Sequence, residues 1–168
     1  MGSVTPELLT QLLEAHAAAL ELFAAQWTQA PADVVQEAFV ELARQPAVPR
    51  NIVAWLYRVV RNRAASEARS ARRRKRWESA AVAESGPWFQ PAEEGGLDSQ
   101  AAADALRGLP EELSEVLVAR IWGGLTFEQI GEITRASTST AFRRYEEAIS
   151  FLRTRLGISC PNKYSPKT

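Results

Sequence analysis

The 168-residue sequence holds one cysteine, one histidine and one methionine, and its 20 basic and 20 acidic residues cancel. A lone Cys160 forms no intrachain disulfide, and with a lone His16 it leaves no Cys/His set for zinc. A reducing compartment, the cytoplasm, is the expected setting. His16 falls on an apolar stripe with no cysteine or carboxylate cluster beside it, the place of a packed or boundary residue rather than a ligand. No apolar run approaches the ~18 residues of a membrane span, and the N-terminus lacks a basic flank followed by a hydrophobic core. Neither a membrane nor secretion is expected. Catalysis would need an activated nucleophile or a carboxylate cluster for metal. Asp33, Glu37 and Glu41 share a helix face, but they stand at four-residue steps with no histidine or second carboxylate motif. The expectation is a chain with no catalytic residue, no metal and no cofactor.

The zero net charge conceals segregation. Residues 1–57 hold six acids against Arg44 and Arg50, and residues 78–115 hold nine acids against Arg107. Between them Arg58, Arg61, Arg63, Arg69, Arg72, Arg73, Arg74, Lys75 and Arg76 face the single acid Glu67. This run belongs to the stretch Asn51–Arg76. There Ile52, Leu56, Val59, Val60 and Arg63 recur at helical steps, no Pro or Gly interrupts, and Ala64, Ala65, Ala68 and Ala71 favour helix. So many like charges on one helix repel unless a polyanion lies alongside. Trp55 and Tyr57 at its front, and Asn62 and Ser66 among the arginines, add base-sized aromatics and small hydrogen-bonding groups. That mixture suits unpaired nucleic acid.

Before this stretch, Thr5-Pro6-Glu7 reads as a helix start. Leu9, Leu12, Leu13, His16, Leu20, Phe23 and Trp27 follow at helical spacing. Pro31 opens a second helix with Val34, Val35, Ala38, Phe39 and Leu42 on one side and Asp33, Gln36, Glu37 and Glu41 on the other. Pro46 and Pro49 end it in an extended loop. Residues 79–100 carry Pro and Gly without a sustained period and read as a linker, with Trp88-Phe89 as an unexpected apolar pair. A second helical block begins near Ala101. It continues past Pro110 with Leu113, Val116, Leu117, Arg120 and Ile121 on one face, and stops at a glycine cap in Trp122-Gly123-Gly124. Thr126, with Glu128 and Gln129, caps a short helix containing Phe127, Ile130 and Ile133. Arg135-Ala136 makes a tight turn, and Ser137 caps a longer helix that turns Ala141, Tyr145, Ala148, Ile149 and Leu152 inward. Phe142, Arg143, Glu146, Glu147 and Ser150 are left outward. This is the helix-turn-helix plan.

These residues resemble the extracytoplasmic-function (ECF) sigma factors of bacterial RNA polymerase, over about residues 8–76 and 104–156. The carriers are Asp33-Val-Val-Gln-Glu-Ala-Phe39, Ala54-Trp-Leu-Tyr-Arg-Val-Val-Arg-Asn62, Leu109-Pro110, Val116–Gly124 and Thr126-Phe-Glu-Gln-Ile-Gly-Glu-Ile133. Ser137, Thr140, Arg144, Ala148 and Leu152-Arg153 complete them. The resemblance implies an all-α chain of two small helical domains: a region-2-like bundle over 5–78 and a region-4-like helix-turn-helix bundle over 101–157. A flexible acidic linker, 79–100, joins them, and a short tail, 158–168, follows. It implies that Asp33, Gln36, Glu37 and Glu41 dock on the clamp helices of the largest polymerase subunit, and that the second domain meets the β-subunit flap. Trp55, Arg58, Arg61, Asn62, Arg63, Ser66 and Arg69 would hold the melted −10 strand. Thr126, Ser139, Thr140 and Arg144 would meet phosphates of the −35 duplex, with Phe142, Arg143, Glu146 and Glu147 on its bases. Core polymerase and promoter DNA are the implied partners, with an anti-sigma factor as a further one.

The sequence departs from the family at Arg135, where glycine is common, and at Phe142 and Glu146-Glu147, where polar or basic readers are usual. The rival reading is a stand-alone helix-turn-helix regulator with an N-terminal dimerisation or ligand domain. It accounts for the second block, but not for an aromatic-basic helix in the first.

Overall fold

The computed structural model describes residues 4–77, 101 and 104–158, and every regular element among them is helical. The linker 79–100 with Trp88-Phe89, and the tail beyond residue 158, lie outside the described residues. Helix α1 (Pro6–Ala24) starts as its sequence dictates: Thr5 is extended and its hydroxyl accepts from the Leu8 amide. Leu12, Leu20, Phe23 and Ala24 are buried, whereas Leu13 is 41% exposed and falls off the core stripe. Helix α2 (Pro31–Ala43) buries Val34, Val35, Ala38, Phe39 and Leu42 and leaves its acids outward. Helix α3 (Ile52–Trp77) begins where the Asn51 side chain accepts from the Ala54 amide. It buries Leu56, Tyr57, Val60 and Ala64 against α1 and α2. Its one acid, Glu67, takes a hydrogen bond from the Thr28 hydroxyl at 2.9 Å and so ties α3 to the loop entering α2.

In the second half, residues 104–107 form a helical turn, followed by α4 (Glu111–Ile121), α5 (Phe127–Thr134) and α6 (Thr138–Arg155). Leu106, Leu109, Leu117 and Ala148 make its own core. Helix α4 ends without glycine: the left-handed residue is Gly124, two beyond the cap, while Gly123 serves a close contact described below. Thr126 and Gln129 form a reciprocal capping box on α5. Gly131 lets α5 approach the turn, since a methyl group there would stand 2.8 Å from the Ala136 carbonyl oxygen. The turn itself needs a left-handed residue, and Arg135 supplies it at φ 57°. That conformation costs a non-glycine residue about 1–2 kcal/mol.

The single-faced expectation for α4 is corrected by the structure. Ser114, Glu115, Val116, Leu117, Val118 and Ala119 are all buried, while Ile121 is exposed. Leu117 faces the core of its own half. Val116, Val118 and Ala119 join the core that α1–α3 build. The helix is covered from two sides because the two halves pack against each other, α1 on α4 and α3 on α5.

Candidate nucleic-acid interface

Three polar surfaces and one junction carry the chemistry. On α3, Arg58, Asn62, Ser66 and Arg69 are exposed, followed by the exposed run Arg72–Arg76. The spacing of Arg58, Asn62, Ser66 and Arg69 sets these four along one side of the helix, opposite the buried Leu56, Val60 and Ala64. Trp55 is half-buried near the start of the helix. With Pro49, Arg50, Asn51, Ala54 and Arg58 it lines a cleft of about 240 Å³ whose far side is Glu132 and Ile133 of α5.

Arg61 and Arg63, expected among the strand-holding cations, are already engaged. Arg63 donates through Nη1 to Glu37 at 2.7 Å, and through Nη2 and Nε to Glu41 at 2.6 and 3.2 Å. The hydrogen bond that Arg63 gives to Glu41 holds the guanidinium proton more tightly than usual. Arg63 therefore lies with the acids of α2. Together with Asp33, Gln36, Val40 and Arg44 they line an open groove of about 700 Å³. Asp33, Gln36 and Glu37 are exposed and Glu41 partly so, while Val40 adds an exposed apolar contact to the groove. A basic helix could lie there with its cations on the carboxylates and its aliphatic stems on Val40.

The third surface is the outer side of α6. Ser137 caps the helix by accepting from the Thr140 amide, and it shares hydrogen bonds with the hydroxyls of Ser139 and Thr140. Phe142, Arg143, Glu146 and Glu147 are all exposed, whereas Ala141 and Ala148 are buried. Phe142 stands edge-on to Phe127, which also packs against Tyr145 and carries the Arg120 guanidinium over its ring at 4.7 Å. Thr126 is exposed at the start of α5, its hydroxyl occupied in the cap. Arg144 reaches back to Glu112 at 3.0 Å. Among the described residues no acid pairs with Arg143.

At the junction of the halves, Arg61 donates through Nε to Glu115 at 2.8 Å, and through Nη2 at 3.4 Å. The Glu115 side chain is 4% exposed, and burial pushes its carboxyl up although Arg61 pulls it down. Ser114 donates to Gln26 across the same junction. Gly123 lies against Tyr57, so closely that a methyl group would stand 2.7 Å from the ring. Tyr57 packs against Phe23 with the rings tilted and their centroids 4.9 Å apart, and burial pushes its phenol well above the ordinary range. The Tyr57 hydroxyl and the Gln26 amide nitrogen are buried with no hydrogen-bond partner among the described residues. Ser114 and Glu115 were missed by periodicity because the reading assigned α4 one apolar face. The only sequence signal for them is polarity inside an otherwise apolar run.

Among the described residues no group of three or more His, Cys, Asp or Glu is arranged to hold a metal ion. No described helix is long and apolar enough to cross a membrane.

Family comparisons agree with this layout. Residues 12–74 match the model of sigma-70 region 2, and residues 105–154 match that of sigma-70 region 4. No curated protein matches the sequence. The fold is similar to that of the sigma factor RpoE from Bartonella quintana, solved in complex with the anti-sigma factor NepR. That similarity has a TM-score of 0.76 at 25% identity, over 93% of this chain and 100% of that one. The order of the two matched regions, the all-helical halves that carry them and the likeness to a solved sigma factor lead to one conclusion: the chain belongs to the sigma-70 family and is an RNA polymerase sigma factor of the ECF type.

Proposed function

We propose that this sigma factor divides its work among the three surfaces. Asp33, Gln36, Glu37 and Glu41 form the face that docks on basic clamp helices of core polymerase, and Arg63 holds two of those carboxylates in place. The α3 surface takes the melted −10 strand. Asn62 and Ser66 meet base edges that unpairing exposes, Arg58, Arg69 and Arg61 meet phosphates, and Trp55 offers a stacking surface. Opening is then differential binding, because the unpaired strand gains contacts that a stacked duplex cannot make. No bond is made or broken by this chain.

Helix α6 enters the major groove of the −35 duplex. Arg143 suits guanine, the glutamates suit cytosine N4, and Phe142 suits a thymine methyl, while Thr126, Ser139, Thr140 and Arg144 lie nearer the phosphates. The first domain runs over 5–78 and the second over 101–157, with the second meeting the polymerase flap, in a cytoplasmic setting. The NepR complex of the Bartonella protein supports an anti-sigma protein as a further partner. The observation that carries the whole is the exposed Asn62, Ser66 and Arg69 on the side of α3 opposite the buried Leu56, Val60 and Ala64, on a helix with one acid.

The test is transcription by the chain with core polymerase on a library of random upstream sequences. Transcripts from templates sharing two elements at −10 and −35 are the expected result. No transcripts, with the chain alone binding a palindromic duplex, would replace this reading with the dimeric regulator.

A further inference from the structure

The two halves cannot perform both DNA contacts while packed as they are. Elements centred about 25 base pairs apart lie roughly 85 Å apart along a duplex rising ~3.4 Å per step. A compact chain of this length has a radius of gyration of only about 15 Å. The packed arrangement is therefore a state the chain must leave before it can bridge a promoter.

The junction also covers particular strand-holding groups. Arg61, a cation of the strand-holding surface, has its guanidinium on the Glu115 carboxylate at 2.8 Å. Glu132 and Ile133 of α5 wall the cleft at Trp55 and Arg58. Asn62, Ser66 and Arg69, farther along α3, stay exposed, as do the acidic face of α2 and the outer face of α6. Closure is thus selective: it occupies Arg61 and walls one side of the cleft at Trp55, and it leaves Arg58 and the docking and duplex-reading faces exposed.

We propose that α4 is an intramolecular competitor of the −10 strand: Glu115 takes the seat of a backbone phosphate on Arg61, so the closed chain and strand capture exclude each other. A carboxylate presents two anionic oxygens to a guanidinium fork as a phosphate does, which makes it a fitting decoy. The seat is also built to be surrendered. Closing leaves the Tyr57 hydroxyl and the Gln26 amide nitrogen buried without partners among the described residues and strips water from Glu115. Each of these opposes closure, while the apolar contacts of Val116, Val118 and Ala119 favour it. Desolvation of that kind offsets much of what a buried ion pair returns. A polyanion offered to Arg61 can then displace α4. The inference rests on the reading of α3 as the strand-holding helix.

The test uses the full chain with Cys160→Ser and a fluorescent pair attached through Ala32→Cys on α2 and Ser150→Cys on α6, both exposed positions. Closure is read by energy transfer and strand binding by anisotropy of a short single-stranded DNA of random sequence. Glu115→Arg sets two cations against each other and is expected to lower the transfer. The exchange Arg61→Glu with Glu115→Arg is expected to restore it while leaving the strand bound poorly. Adding the strand to the parent chain is expected to lower the transfer, whereas the strand should bind Glu115→Arg more tightly. The gain is about tenfold if nine-tenths of the parent is closed. Glu111→Arg, the same charge change at an exposed position, separates release from added positive charge. Binding of a −35 duplex shows that the second half remains folded.

Unchanged transfer in Glu115→Arg would overturn the proposal, as would equal gains in strand affinity from Glu111→Arg and Glu115→Arg. If the transfer responds as expected but no variant binds a single strand, the strand-capture reading fails and the competition with it. Closure would then be only a packing contact.

Discussion

Arg61 and Glu115, 54 residues apart in the chain, meet at 2.8 Å across the junction of the two domains, the carboxylate almost wholly withdrawn from water. Burial raises the carboxyl's proton affinity, and the Arg61 guanidinium opposes that rise; Glu111 on α4 adds to it and Arg144 on α6 reduces it. A carboxyl whose pKa is higher in the closed chain than in the open one binds protons more tightly when closed. Closure is therefore favoured at acid pH, weakens as pH rises from the ordinary carboxylate range through the raised value, and is flat above it. Energy transfer between the halves should fall over that interval and then level off. Glu115→Gln, fixed in the neutral form, should remain closed throughout. Transfer that strengthens with rising pH would mean that the ion pair outweighs the loss of water.

Arg63 stands two residues after Arg61 but serves another surface, because a two-residue step on a helix turns the side chain to a different side. Its guanidinium joins Glu37 and Glu41 at 2.7 and 2.6 Å, with all three groups partly open to solvent. Exposed pairs contribute about 0.2–1 kcal/mol each. Arg63→Ala should therefore cost about 1 kcal/mol of stability in denaturant melts. It should leave the salt dependence of single-strand binding unchanged. A phosphate contact would instead lower that slope by about 0.7. Under the proposed docking role of α2, charge reversal by Asp33→Arg with Glu37→Arg should abolish co-purification with core polymerase while the circular dichroism stays helical.

Much of this arrangement was legible because the local signals are strong. Thr5-Pro6, Pro31, Thr126 with Gln129, and Ser137 each mark a helix start through the chemistry of unpaired amides, and each start is found where it was read. The outward set Phe142, Arg143, Glu146 and Glu147 followed from helical period alone. The junction was not legible. A helix packed on two sides has no single apolar stripe, so the burial of Ser114 and Glu115 carried no periodic signal. The engagement of Arg61 and Arg63 depends on which helix lies beside each, and spacing along α3 cannot report that. Leu13 failed for the opposite reason: it fits the period of α1, but α2 and α3 cover only part of that stripe.

Asn62 is exposed on α3, one residue from Arg61 and four from Ser66. A side-chain amide can match donor and acceptor on a base edge only when the base is unpaired or presented in a groove. Asn62→Ala should therefore impair opening of double-stranded promoters far more than transcription from templates already mismatched over the −10 element. The comparison is made by run-off transcription on both templates with the same core polymerase. Equal loss on the two would place Asn62 outside base capture.

Arg143 differs from its neighbour Arg144 in having no acid partner among the described residues, whereas Arg144 lies at 3.0 Å from Glu112. A free guanidinium on the outer face of α6 can give both arms to guanine O6 and N7, while one already held by a carboxylate is better suited to a phosphate. Arg143→Ala should relax preference at a single −35 position, at a cost of about 1–3 kcal/mol for the preferred base. Arg144→Ala should instead weaken binding to all −35 sequences alike. Affinity profiling on a −35 duplex library separates the two patterns. A uniform loss from Arg143→Ala would assign that residue to the backbone and leave base reading to Phe142, Glu146 and Glu147.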